Sequence, residues 1–111
     1  MMVVFIAAPY TADRMKDIEL NVELAMDAGI QLMEKGHSPI VPHLSHWMDL
    51  YGTVYGVSFP YERWLEYTMS LVGRCDSLLY LAPSPGADRE LELAERLGLR
   101  IFRSLEEVPC G

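Results

Sequence analysis

The sequence predicts a single α/β domain spanning residues 1–111, with a doubly wound, mostly parallel sheet of four to five strands and flanking helices, flavodoxin- or Rossmann-like. Three observations predict it. Short apolar runs alternate with helical patterns in the order strand, helix, strand, helix, strand, helix, strand. Residues 2–8 are apolar without interruption, as a strand covered on both faces requires. Glycines stand where two helical patterns stop, at Gly36 and Gly98.

The first run, Met2 to Ala8, reads as a strand ended by Pro9, with a polar turn at residues 10–14. Residues 17–35 read as a helix, because Ile18, Val22, Ala25, Gly29 and Leu32 fall on one stripe and Glu19, Glu23, Asp27 and Glu34 lie opposite. Residues 38–42 are a second strand whose prolines, Pro39 and Pro42, place it at an edge or keep it very short. Residues 43–60 have no clear period; they are expected to be a functional loop, a lid or an interface, with a short helix around Ser45–Tyr51. Residues 61–74 are expected to be helical with Trp64, Leu65, Met69 or Thr68, Leu71 and Val72 inward. Residues 77–82 form a buried strand and a helix runs from the loop 83–86 to about Leu97. Residues 99–102 form the last strand, with one more turn at 105–108. Parallel sheets of this kind bind ligands beyond the carboxyl ends of their strands, so the loops after Ala8, Val41 and Ala82 are expected to converge on a site.

The chain carries a net charge of −7 and is 50% hydrophobic. That balance argues against disorder and against a nucleic-acid polymer as partner, which would need a basic face. It leaves room for a small anion held at a helix N-terminus. No run of about 18 apolar residues exists, so no membrane span is expected. The start lacks a basic n-region, so no secretory signal is expected. Cys75 and Cys110 form no CxxC pair and read as free thiols of a reducing, cytoplasmic compartment. His37, His43 and His46 match no zinc spacing; neither a metal nor a cofactor is expected.

The chemistry concentrates in Ser84-Pro85-Gly86-Ala87-Asp88-Arg89-Glu90. Ser84 before Pro85 is a helix N-cap with proline at the first helical position. The N–H groups of Gly86 and Ala87, with the Ser84 hydroxyl, can also hold an anion. On a helical wheel Ala87, Leu91 and Ala94 share one apolar stripe, while Asp88, Arg89, Glu92, Glu95 and Arg96 are solvated. Glu90 falls inside the apolar stripe. A carboxylate there either pairs structurally or points into the expected pocket, where the helix dipole would help keep it ionised. Asn21 flanks the first helix's stripe and reads as a satisfied core amide or a ligand contact.

Three segments together resemble the nucleoside 2-deoxyribosyltransferase-like superfamily, and within it short bacterial and phage-type proteins related to nucleoside 5′-monophosphate N-glycosidases. They are Phe5-Ile6-Ala7-Ala8-Pro9-Tyr10, Gly36-His37-Ser38-Pro39-Ile40-Val41-Pro42-His43, and Cys75-Asp76-Ser77-Leu78 followed by Ser84-x-Gly86-Ala87-x-x-Glu90. The resemblance covers about residues 3–102. It implies cleavage or transfer of the N-glycosidic bond of a nucleoside or its 5′-monophosphate, with Glu90 as nucleophile on the anomeric carbon. It further implies that Ser84 and Gly86 hold a 5′-phosphate and that His43 lines the site. Pro9, Tyr10, Asn21, Ala87 and Trp47 complete the expected substrate contacts. Two positions depart from the family pattern: Thr68 stands where those enzymes carry a helix carboxylate, and Phe5 where they carry a tyrosine.

Two other functions fit the same residues: a nucleotide-binding module without turnover, and an oligomeric scaffold built on Trp47, Tyr51 and Tyr55. The aromatic density of residues 43–60 predicts a homo-oligomer, a dimer or tetramer. Asp76 is expected to cap neighbouring N–H groups.

Overall fold

The computed structural model describes all 111 residues. It contains β1 (Val3–Ala7), α1 (Met15–Glu34), β2 (Ser38–Ile40), α2 (Ser45–Val54), α3 (Tyr61–Val72), β3 (Ser77–Tyr80), α4 (Pro85–Arg96) and β4 (Arg100–Phe102). Short 3-10 turns follow β2 at Pro42–Leu44 and β4 at Leu105–Glu107. The four strands form one sheet in the order β2-β1-β3-β4, and every pairing is parallel. The fold class is therefore the one expected.

Alternation along β1 builds two cores. Val4 and Ile6 pack with Ala25, Ala28 and Leu32 of α1, and with Leu79, Phe102 and Val108. Phe5 and Ala7 pack on the other face with Leu78, with Val72 of α3, and with Ala87 and Ala94 of α4. Helices on both faces explain why β1 reads as an unbroken apolar run.

Gly36 and Gly98 end α1 and α4 as the sequence predicts. Gly36 takes φ +90°, and His37 N–H reaches back to the Leu32 carbonyl at 3.0 Å. Gly98 takes φ +76°, and Leu99 N–H reaches the Ala94 carbonyl at 3.0 Å. Both are Schellman closures, which need a left-handed residue at that place. β2 lies at the sheet edge, where Pro39 costs no interior ladder bond. Asp76 caps as expected: its Oδ2 accepts the Val3 N–H at 2.7 Å, tying the entrance of β3 to β1.

The short helix expected around Ser45–Tyr51 is present and runs three residues further than expected. A ten-residue helix, α2, occupies Ser45–Val54, and only the stretch after it is irregular. Trp47, Met48, Tyr51 and Val54 are exposed apolar residues on that helix, so no polar face marks a period in the sequence. No helix is long and apolar enough to cross a membrane.

Candidate active site

A cavity of about 420 Å³ opens at the carboxyl ends of the strands. Ala8 follows β1, Pro42 and His43 follow β2, and Ser84 to Ala87 begin α4 after β3; all of them line it. The three loops converge as predicted, at the point where the strand order turns from β2-β1 to β3-β4. The volume lies within the range of small-molecule sites. Trp64, Leu65 and Thr68 of α3 close one side and Tyr61 stands with them. These α3 residues were expected to face inward, and their inward face is a cavity wall as much as a core contact.

Glu90 is on that wall. It is 7% exposed, and no hydrogen bond within the chain ends on its carboxyl. Burial pushes its pKa from 4.5 up to about 8. The expectation that the helix dipole keeps it ionised is therefore corrected. Glu90 is the sixth residue of α4, which starts at Pro85, and a dipole contribution of about 0.3–1 kcal/mol fades beyond the first turn. The burial shift corresponds to roughly 5 kcal/mol against the charged form, so burial wins.

The start of α4 is a capped helix. The Ser84 Oγ accepts the Ala87 N–H at 3.0 Å, and the Ser84 carbonyl accepts the Asp88 N–H at 2.8 Å. The expected anion site of Ser84, Gly86 and Ala87 thus loses the Ala87 amide to the cap. Gly86 has another property: a Cβ built there meets nothing within 4 Å. The chain itself has no steric need for glycine at this place, and Gly86 is one of the residues that line the cavity.

Tyr10 also lines the cavity and is held by two hydrogen bonds. The Asn21 amide donates to the Tyr10 carbonyl at 3.1 Å, and the Tyr10 hydroxyl and His46 Nδ1 share a hydrogen bond at 3.2 Å. His43 Nε2 donates to the Ala8 carbonyl at 3.0 Å, fixing the strand end before Tyr10. Burial lowers the His43 pKa and keeps the ring neutral. Its Nδ1 and the His46 Nε2 are buried without partners. Tyr10 has a raised pKa, from burial first and from the charge of Asp49 second.

The structure thus brings together Glu90, Ser84, Gly86, Ala87, His43 and Tyr10. Three expected contacts do not line the cavity. Asn21 holds the Tyr10 backbone instead, and Pro9 turns the chain between the two carbonyls that His43 and Asn21 bind. Trp47 is half exposed, its ring 5.0 Å from that of His46. The reason is helical: Ser45 and Asp49, four apart, face the cavity, so position 47 points about 200° away from Ser45. The sequence reading missed Asp49, Ser45, Thr11, Tyr61, Trp64 and Leu65 as cavity residues. A serine and an aspartate four apart in an otherwise apolar segment were the signal for two of them. Thr68 lines the cavity, though its hydroxyl donates back to the Leu65 carbonyl at 3.1 Å, and Glu66 is exposed.

Fold and site define a doubly wound α/β domain with a carboxyl-bearing cleft at its topological switch point. Within that class the chain belongs to the DUF7768 family, a domain of unknown function whose profile matches residues 2–104. No curated protein matches the chain.

Proposed function

We propose that the protein cleaves, or transfers, the N-glycosidic bond of a nucleoside or nucleoside 5′-monophosphate, with Glu90 as the nucleophile. The observation that carries this reading is a buried, unpartnered carboxyl on the wall of a ligand-sized cavity at the strand ends. The ionised carboxylate attacks the anomeric carbon, the base departs with its electron pair, and water or a second base resolves the glycosyl-enzyme ester. The Tyr10 hydroxyl, fixed by His46, offers a hydrogen-bonding group to the sugar or base. Trp64 offers an apolar surface for the base.

The test is a panel of nucleosides and nucleoside monophosphates, with released base followed by chromatography. Release by the wild type that disappears in Glu90→Ala supports the reading; no release from any member overturns it. Because the nucleophile must be ionised, kcat/KM is expected to rise with pH through about 8. A second reading has one specific observation in its favour: at neutral pH the Glu90 carboxyl is mostly protonated, as suits a binding module. Calorimetric binding without base release at any pH up to 9 would select it.

Gly86→Ala separates ligand effects from fold effects. The substitution is expected to leave the fold intact, or to stabilise it by about 0.5 kcal/mol through helix propensity. Gly86 lines the cavity, so a methyl group that crowds the ligand there is expected to lower its affinity by about tenfold, 1.4 kcal/mol. Thermal melting and calorimetry on the same sample read both. The exposed Trp47, Tyr51, Val54 and Tyr55 support self-association through α2, and Cys75 and Cys110 as free thiols support a reducing, cytoplasmic setting.

A further inference from the structure

The cavity wall offers acids and no cationic side chain of its own. No lysine or arginine lines it, and its one histidine, His43, is neutral. Two acids do line it, Glu90 and Asp49. A single hydrogen bond brings a guanidinium to a lining residue: Arg89 Nη1 donates to the Tyr61 hydroxyl at 3.3 Å, on the exposed side. The start of α4 compensates little, since the cap uses the Ala87 amide and Asp88 adds its own carboxylate to the first turn.

Size makes this charge matter for any occupant. A cavity of 420 Å³ taken as a sphere is about 9 Å across, close to the Debye length of about 8 Å at physiological salt. A ligand that fills it therefore lies largely within one Debye length of a charge on its wall. The Tyr10 hydroxyl, also on the wall, has its pKa raised by burial first and by the charge of Asp49 second.

We propose that Asp49 is a specificity-determining residue of this site: its carboxylate accepts hydrogen bonds from the hydroxyl and N–H donors of a free nucleoside and turns away the 5′-monophosphate. A phosphomonoester brings a charge of about −1.5 to −2 at pH 7 into a space that offers it no cation. An uncharged nucleoside brings only donors and acceptors. The inference rests on the nucleoside reading above and narrows it, and it removes the phosphate-holding role from Ser84 and Gly86.

The experiment is calorimetric titration of the full chain with matched pairs, each nucleoside against its own 5′-monophosphate, for the four common bases. The wild type is expected to bind the nucleosides at least tenfold more tightly. Asp49→Asn keeps the shape and removes the charge. The Asp49 carboxylate makes no hydrogen bond within the chain, its backbone carbonyl alone accepting from the Thr53 hydroxyl, and the variant is expected to narrow that gap by about tenfold, chiefly by gaining monophosphate affinity. Raising salt from about 50 to 500 mM is expected to narrow the wild-type gap without any substitution. Equal or tighter binding of monophosphates by the wild type overturns the inference and leaves the glycosidase reading standing. So does a gap that neither Asp49→Asn nor salt changes. Failure of every nucleoside and every monophosphate to bind overturns both.

Discussion

Glu90→Gln is expected to give a protein that is more stable than the wild type at neutral and alkaline pH and inert toward its substrate. Burial raises the folded-state pKa of Glu90 from 4.5 to about 8, so the fold favours the neutral carboxyl. A raised pKa contributes its stability fully below about pH 4.5, and that stability is lost as pH climbs from there to about 8. The loss is on the order of 3 kcal/mol by pH 7 and about 5 by pH 9. Glutamine does not ionise, so its stability stays level across that window. Urea or thermal melts at pH 5, 7 and 9 read the difference: near coincidence at pH 5, then a widening advantage for Glu90→Gln. By size scaling the Tm at pH 8 should rise by more than about 10 °C. Activity should fall by at least about a thousandfold, because the nucleophile is gone. Parallel pH profiles for the two proteins would show that the carboxyl is hydrated or paired, and the argument from its burial would fall. A residue that destabilises the fold as it ionises is what a strained functional group looks like, and few structural roles would retain it.

That conflict was legible in the sequence, since the helical wheel alone puts Glu90 among Ala87, Leu91 and Ala94. The ends of α1 and α4 were legible because only a left-handed residue completes their closures, and Gly36 and Gly98 stand there. The parallel sheet was legible from β1, whose residues are buried on both faces. What failed has physical causes. α2 was expected only as far as Tyr51: it presents apolar side chains on its solvent side as well, so no period marked its end at Val54. The inward stripe of α3 looks the same whether it meets a core or a cavity, so Trp64, Leu65 and Thr68 could not be told apart from packing residues. Asn21 takes the satisfied-amide alternative, donating to the Tyr10 carbonyl, and a backbone acceptor leaves no mark in the sequence that would have chosen it over a ligand contact. The helix dipole was overrated for a plain reason of distance: it serves the first turn, and Glu90 lies beyond it.

Phe5→Ala is expected to cost about 3–5 kcal/mol, the range for removing a buried aromatic ring and leaving its cavity. Phe5 is fully buried in the middle of β1, opposite Leu78 of β3, and shares its core with Val72 of α3 and with Ala87 and Ala94 of α4. Against a total stability of about 5–15 kcal/mol for a domain, such a loss leaves a sizeable unfolded fraction at 37 °C, and a urea melt measures it directly. The same packing decides what a tyrosine would do here. Phe5→Tyr does not restore a missing site hydroxyl, because the cavity begins at Ala8, beyond the end of β1, and position 5 is not on its wall. The added hydroxyl would enter a core of apolar side chains, and an unpaired buried hydroxyl costs about 1–3 kcal/mol. Phe5→Tyr is therefore expected to lower the urea midpoint without raising base release. The hydroxyl available to a ligand is that of Tyr10, set by His46, and Tyr10→Phe is the substitution that should lower release, at a cost of about 1–3 kcal/mol for the buried His46 Nδ1 it leaves unpartnered. A rise in activity in Phe5→Tyr would mean that the cavity extends down β1 beneath Ala8, and that α4 moves off its core on binding.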